Sequence, residues 1–289
     1  MIGFVGTGVM GEPICRHLAQ KSRQQVCAYD LEDAPLERLA EHGVRSAESV
    51  RDVAERSEIV FLSLPSRSPV QKVCVGAGGL LTHLRPGACV IDLSTVPVAF
   101  TRDLYARFSA RGIQFLDAPV ARTRAAAEAG TLSVMVGGTE KTFNRMKPLL
   151  ACFATDVTHC GGPGTGQAMK LINNLVLFEN VVAVAEGLAL ARHTGLKPEL
   201  VFETLAKGSA DSFALRHHGM KAMLPEEFPE RAFSVEYAMK DLRYALELAR
   251  EEGLELTSAM NARVLLKRAA DAGFRHEYFP AVAKVIGKR

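Results

Sequence analysis

The sequence predicts an α/β protein in two parts. A doubly wound, mostly parallel sheet occupies residues 1–162, and a long helix then leads into an all-α domain over residues 163–289. Three observations carry this reading. A glycine-rich turn, Gly6 to Gly11, lies between an apolar strand and a helical pattern. Apolar strands then alternate with helical stretches, the order that gives a sheet covered on both faces. Beyond Lys170 the apolar spacing is helical almost to the end.

Taken in order, Met1 to Val5 is the first strand. Gly6-Thr7-Gly8-Val9-Met10-Gly11 follows, and Ile14, Leu18 and Ala19 mark the helix after it. This is G-x-G-x-x-G in the strand–turn–helix setting that a dinucleotide requires. Gly6 permits the tight turn, Gly8 lets a pyrophosphate approach the backbone, and Gly11 lets the helix pack on the strand. The helix N-terminus offers free N–H groups to phosphate. Val26 to Tyr29 is the second strand, ending at Asp30. A carboxylate there bonds a ribose 2′-hydroxyl and repels a 2′-phosphate, which favours NAD over NADP. The alternative is that Asp30 caps the helix starting near Pro35.

Ile59 to Leu64 and Val90 to Leu93 read as buried strands; their loops, Leu64-Pro65 and Ser94-Thr95, fall at the carboxyl edge where ligands of such sheets bind. Helical stretches lie around residues 48–56, 70–75 and 100–110. Gln114 to Val120 and Thr131 to Val136 are further strands. Between them Ala121 to Gly130 reads as a loop carrying Arg122, Thr123 and Arg124, which either holds an anion or is simply solvated.

The centre of the chain is Gly161-Gly162-Pro163-Gly164-Thr165-Gly166, running into a helix with Lys170, Asn173 and Asn174. Residues at i, i+3 and i+4 share a helix face. A cation and two amides there suit an oxygen of a small substrate; the bland reading is a polar helix start. His217 and His218 are adjacent, lie in or beside a loop, and lack ligand-spaced acids or cysteines, so no metal is expected.

Composition excludes several classes. The 289 residues suit about two domains. The net charge of +3 is unclustered, with no basic–aromatic interleaving, so no nucleic-acid partner is expected. Six cysteines without a C-x-x-C pair read as reduced thiols. The chain opens on a strand without a basic leader, so no secretory signal is expected. Asn173, Asn174, Glu179, Asn180 and Glu186 interrupt the apolar run Leu171 to Ala191, which reads as too polar to span a membrane. A soluble cytoplasmic protein is expected. That apolar helix reads as buried between domains or subunits, which implies a homodimer or homotetramer.

Gly3-Phe4-Val5-Gly6-Thr7-Gly8-Val9-Met10-Gly11-Glu12-Pro13 resembles the opening signature of the β-hydroxyacid dehydrogenases. Asp92-Leu93-Ser94-Thr95, Asp117-Ala118-Pro119-Val120, Gly164-Thr165-Gly166-Gln167 with Lys170 and Asn174, and Lys240-Asp241-Leu242 match the family's other motifs in order. The resemblance spans essentially the whole chain. It implies a Rossmann domain, a long interdomain helix and an all-helical C-terminal domain. It also implies that Lys170 is catalytic and that Pro65, Thr95 and Lys240 line the cofactor and substrate site.

One departure bears on substrate. The family usually follows Asp-Ala-Pro-Val with Ser-Gly-Gly, whereas this chain has Ala121-Arg122-Thr123. That loop is similar to the sulfolactaldehyde reductase branch, whose Gly-Arg-Thr grips a sulfonate. A guanidinium fork suits a carboxylate or a multi-oxygen anion. The expected chemistry is NAD-dependent interconversion of a small acidic alcohol and its aldehyde or semialdehyde. Lys170 is the general acid/base, Asn173 or Asn174 orients the substrate, and Arg122 anchors a remote anion. A carboxylated semialdehyde, tartronate or methylmalonate, with Arg122 holding its carboxylate, is the alternative substrate. A dinucleotide-binding module without catalysis is the reading from another class.

Overall fold

The structure, a computed structural model, describes residues 1–230 and 232–287. Arg231, Lys288 and Arg289 of the second expected domain lie outside the described residues. The chain divides into two compact units, Met1–Lys170 and Leu171–Arg289.

In the first unit, β1 (Ile2–Val5), α1 (Gly11–Lys21), β2 (Val26–Tyr29), α2 (Asp33–Ala40), β3 (Arg45–Ser46), α3 (Val50–Arg56) and β4 (Ile59–Leu62) follow one another. Next come α4 (Arg67–Val75), α5 (Leu80–His83), β5 (Cys89–Asp92), α6 (Val98–Ser109) and β6 (Gln114–Asp117). The unit continues with β7 (Val120–Ala121), α7 (Arg124–Ala129), β8 (Leu132–Gly137), α8 (Glu140–Leu150) and β9 (Ala154–Gly161). It ends in the first turns of α9 (Thr165–Thr194).

The strands form one sheet in the order β3-β2-β1-β4-β5-β6-β8-β7, with β9 on β8. From β3 to β6 all pairings are parallel, as expected. Side chains alternate along each strand between two apolar layers. Phe4, Phe61, Ile91 and Leu116 enter one core with Ile14 and Leu18 of α1. Val5, Val60, Leu62, Val90 and Phe115 enter the other with Leu104 and Phe108 of α6. Strand order reverses between β1 and β4, so the loops after both strands flank the crevice where such sheets take ligands.

Three local readings are corrected. The strand expected over residues 114–120 stops at Asp117, because Pro119 has no N–H for the ladder; the short β7 resumes against β8. The expected loop 121–130 contains α7, whose Arg-Ala-Ala-Ala-Glu-Ala sequence has high helix propensity and ends on left-handed Gly130 (φ 69°). Polar β9 was not anticipated, and β8 runs antiparallel to β6.

The second unit is helical. It contains the rest of α9, α10 (Pro198–Leu205), a π-helix (Leu215–Met223), α11 (Val235–Glu251), α12 (Thr257–Ala269), a short π-helix (Ala270–Phe274) and a 3-10 helix (Phe279–Val285). Phe178, Val181, Ala185 and Leu188 of α9 enter its core beside Phe202, Leu242, Leu266 and Phe279. His217 and His218 lie within the first π-helix rather than in a loop. His218 is buried and its Nδ1 pairs with the Tyr278 hydroxyl at 2.7 Å.

By length and composition α9 is apolar enough to cross a membrane, contrary to the sequence reading. One third of its most apolar window is buried within the chain. Met169, Ile172 and Val176, spaced three and four apart, form an exposed apolar stripe.

Candidate active site

The glycine turn has the geometry its sequence requires. Gly6 takes φ +92°, and a Cβ there meets the Ser63 carbonyl at 2.4 Å. A Cβ on Gly11 lies 2.0 Å from the Gly6 carbonyl, so only glycine lets α1 begin that close to β1. A Cβ on Gly8 meets nothing within 4 Å, and Gly8 and Val9 face solvent. Met10 is the N-cap of α1 and provides no side-chain cap. A helix N-terminus with an open, Cβ-free approach fits the pyrophosphate of a dinucleotide. Asp30 closes the other side. Its Oδ2 accepts from Thr7 N at 2.5 Å and Thr7 Oγ1 at 3.1 Å, and its Oδ1 accepts from Glu32 N at 3.1 Å. Glu32, not Asp30, is the N-cap of α2, so the capping alternative falls. Asp30 is tied to the glycine turn instead.

The start of α9 is fastened to the carboxyl edge of the sheet. Asp117, at the end of β6 and 1% exposed, accepts from Gly164 N at 2.9 Å and Gln167 N at 2.8 Å. A carboxylate at that position caps the helix and complements its dipole. Burial pushes the Asp117 carboxyl above the usual range, while the N–H donors of Gly164 and Gln167 pull it back. Gly166 is obligatory, since a Cβ there lies 2.4 Å from the Met135 carbonyl.

The fully buried Gln167 reaches the loop after β5. Its Nε2 donates to Ser94 O at 2.7 Å and its Oε1 accepts from Val96 N at 3.2 Å. Ser94 Oγ accepts from Leu64 N at 2.9 Å, and Ser94 N donates to Asp92 Oδ1 at 2.9 Å. One network thus joins Leu64-Pro65, Thr95 and the helix turn that carries half-buried Lys170. Asp92, Ser94, Asp117 and Gln167 belong to the site's framework. Sequence reading matched them as motif letters without giving them a task. The available signal was a polar residue ending each of two apolar strands.

Arg122 stands differently from its expected role. Its backbone is left-handed, φ +85°, a region where glycine is relaxed and arginine is strained. Its fork is engaged within the chain, by Thr131 O at 2.5 Å, Thr155 Oγ1 at 2.9 Å and Asp156 Oδ2 at 2.6 Å. The Thr155 hydroxyl and the Arg122 guanidinium hold the Asp156 carboxyl below its usual range. The guanidinium expected to face an anionic substrate therefore faces an internal carboxylate. Thr123 caps α7 by position, without a side-chain bond.

In the second unit, Asn174 and Asp241 are buried. Asn174 Nδ2 donates to Asp241 Oδ2 at 2.7 Å, and Lys240 Nζ lies 3.2 Å from Asp241 Oδ1. Exposed Asn173 donates to Asn174 Oδ1 at 3.1 Å. Asp241 thus holds both Asn174 and Lys240. Among the described residues no cluster of histidine, cysteine or carboxylate groups suits a metal ion.

Comparison with known proteins gives a consistent result. Residues 1–162 match the family described as the NAD binding domain of 6-phosphogluconate dehydrogenase. Residues 164–286 match the NAD-binding domain of NADP-dependent 3-hydroxyisobutyrate dehydrogenase. The chain is 35% identical to 2-(hydroxymethyl)glutarate dehydrogenase of Eubacterium barkeri, covering 98% of this chain and 94% of that one. It is 33% identical to 2-hydroxy-3-oxopropionate reductase of Escherichia coli, covering 94% and 92%. Its fold is similar to that of 3-hydroxyisobutyrate dehydrogenase of Mycobacterium tuberculosis, solved with L-serine. The TM-score is 0.89 at 29% identity, covering 98% and 97%.

Proposed function

The chain belongs to the β-hydroxyacid dehydrogenase family, an NAD-dependent oxidoreductase interconverting a hydroxy acid and its semialdehyde, and on that premise we propose the roles of its residues. The observation that carries the proposal is the placement of Lys170. It lies one helical turn beyond Gln167, on a helix whose first turn is fastened to the ends of β5 and β6.

Bound NAD supplies the hydride acceptor or donor at the ring end. Gly6, Thr7, Gly8, Val9, Met10 and Gly11 seat the pyrophosphate at the start of α1, and Asp30 bonds the ribose. Its carboxylate, with Glu32 and Asp33 following and no arginine beside it, disfavours a 2′-phosphate; NAD is the preferred cofactor. Leu64, Pro65 and Thr95 support the cofactor from the loops after β4 and β5. The Lys170 ammonium hands a proton to the carbonyl oxygen during reduction and takes it back during oxidation. Asn174, fixed by Asp241, orients a substrate oxygen, and Lys240 adds positive charge for the acid group. Exposed Asn173 supports Asn174 rather than the substrate.

Arg122 anchors a remote anion only when its pair with Asp156 opens. That pair is solvent-exposed and screened by water, so a multi-oxygen anion can displace it. The sequence reading of a carboxylated semialdehyde has Arg122 holding the carboxylate; because Asp156 engages that guanidinium, we propose instead that a small carboxylated semialdehyde is held without Arg122. The relatives named above carry carboxylated compounds in their names. The exposed stripe Met169, Ile172 and Val176 suits a second copy of the chain, giving a homodimer or homotetramer. The burial of Phe178, Val181 and Leu188 in the helical core suits a core helix of a soluble protein.

The test is Lys170→Ala, with turnover and NADH binding measured separately over short hydroxy acids, dicarboxylates and hydroxy-sulfonates. Turnover falls about 10²- to 10⁴-fold with NADH binding kept. Turnover near the parent level removes the role of Lys170, and no turnover by the parent with any compound favours a non-catalytic module.

A further inference from the structure

We infer that Gln167 is a positioning residue for the reaction, setting the spacing between the loop that receives the cofactor and the lysine one turn further along α9. The inference rests on the assignment of Lys170 as the proton-transferring group. Three hydrogen bonds carry it. The Gln167 backbone N–H is held by Asp117 at the end of β6. Its side chain then spans to the β5 loop and holds that loop on either side of Thr95, through Ser94 O and Val96 N.

Both polar ends of the amide are used, and the residue is fully buried. Only a side chain with one donor and one acceptor at this length satisfies both loop groups. The loop is in turn tied to Leu64 through Ser94 Oγ. A rigid path therefore runs from the loops after β4 and β5, through one amide, to the helix turn bearing Lys170. A capping carboxylate alone fixes where α9 starts. Gln167 additionally fixes α9 against the cofactor loop, and proton transfer is sensitive to that relation. Misplacement by about 1 Å costs on the order of 100-fold in rate.

Two variants test this in the full-length chain. Gln167→Glu keeps size and the acceptor for Val96 N, but sets an oxygen against Ser94 O. Gln167→Met keeps approximate volume and removes both bonds. Each is assayed for kcat with the best substrate of the hydroxy-acid panel, for NADH dissociation constant by fluorescence, and for melting temperature.

The expected result is a kcat loss of about 10- to 100-fold for both, with the NADH constant changed less than about threefold. The same substitutions are placed on Lys170→Ala, whose turnover is read in methylamine as a substitute amine. There they cause no further loss, because the rescuing amine is no longer tethered to α9. Three results overturn the inference: parent-level kcat in either folded variant, equal losses of kcat and NADH affinity, or the same fold-loss on the Lys170→Ala background. Parent-level turnover by Lys170→Ala itself instead refutes the role of Lys170.

Discussion

Replacing Asp117 by asparagine tests how α9 is held. The side chain keeps its shape, but one oxygen becomes an NH2 group. Of the two N–H donors now held at 2.9 and 2.8 Å, one must then face a donor. Flipping the amide does not help, because it only exchanges which of the two N–H groups faces the NH2. An unsatisfied buried N–H costs about 1–3 kcal/mol, and the loss of a charge at the helix N-terminus adds about 0.3–1 kcal/mol. Some of this is offset because burying an uncharged amide is easier than burying a carboxylate. The net expectation is about 2 kcal/mol of lost stability. Guanidinium chloride unfolding, followed by circular dichroism, reads that change. Steady-state turnover reads the second consequence, a kcat at least tenfold lower as the turn bearing Lys170 shifts. A variant within about 0.5 kcal/mol of the parent, with unaltered kcat, refutes the claim that this carboxylate fastens the helix.

Three further outcomes follow from the geometry. Gly11→Ala places a methyl 2.0 Å from the Gly6 carbonyl, so the turn must open; NADH affinity drops at least tenfold, and a fluorescence titration matching the parent contradicts this. Arg122→Gly relieves a left-handed backbone worth about 1 kcal/mol and gives up an exposed, solvent-screened ion pair, leaving stability close to the parent's in the same unfolding assay. A loss beyond about 1.5 kcal/mol shows that the pair with Asp156 is structural. The His218 pKa is pushed down to about 4, first by burial and then by His217, so the unfolded chain takes up the proton first as pH falls. Its stabilising contribution is full above about pH 6.5 and is lost between there and pH 4, roughly 2 kcal/mol of it by pH 5. His218→Gln should blunt the drop in melting temperature between pH 7 and pH 5; an equal drop in both proteins points to other groups.

The sequence by itself determined what is decided within a turn or two of backbone. Gly6 needs a positive φ, Gly11 needs the absence of a Cβ, and continuous apolar strands need cover on both faces; each requirement is local, so the dinucleotide turn and the doubly wound sheet were legible. The helical character of the described residues from Thr165 onward was legible for the same reason, through spacing alone. What only the tertiary structure decided is which distant groups meet. Asp117 finds Gly164 and Gln167 some fifty residues on, and Gln167 finds Ser94 seventy-three residues back. The antiparallel β8 and the polar β9 likewise depend on strand pairing that no local pattern encodes. Arg122 shows the limit most clearly: its residue type announces an anion, but the anion it meets is Asp156, thirty-four residues away. A side chain's chemistry is set by its own atoms, whereas its partner is set by where folding brings the rest of the chain.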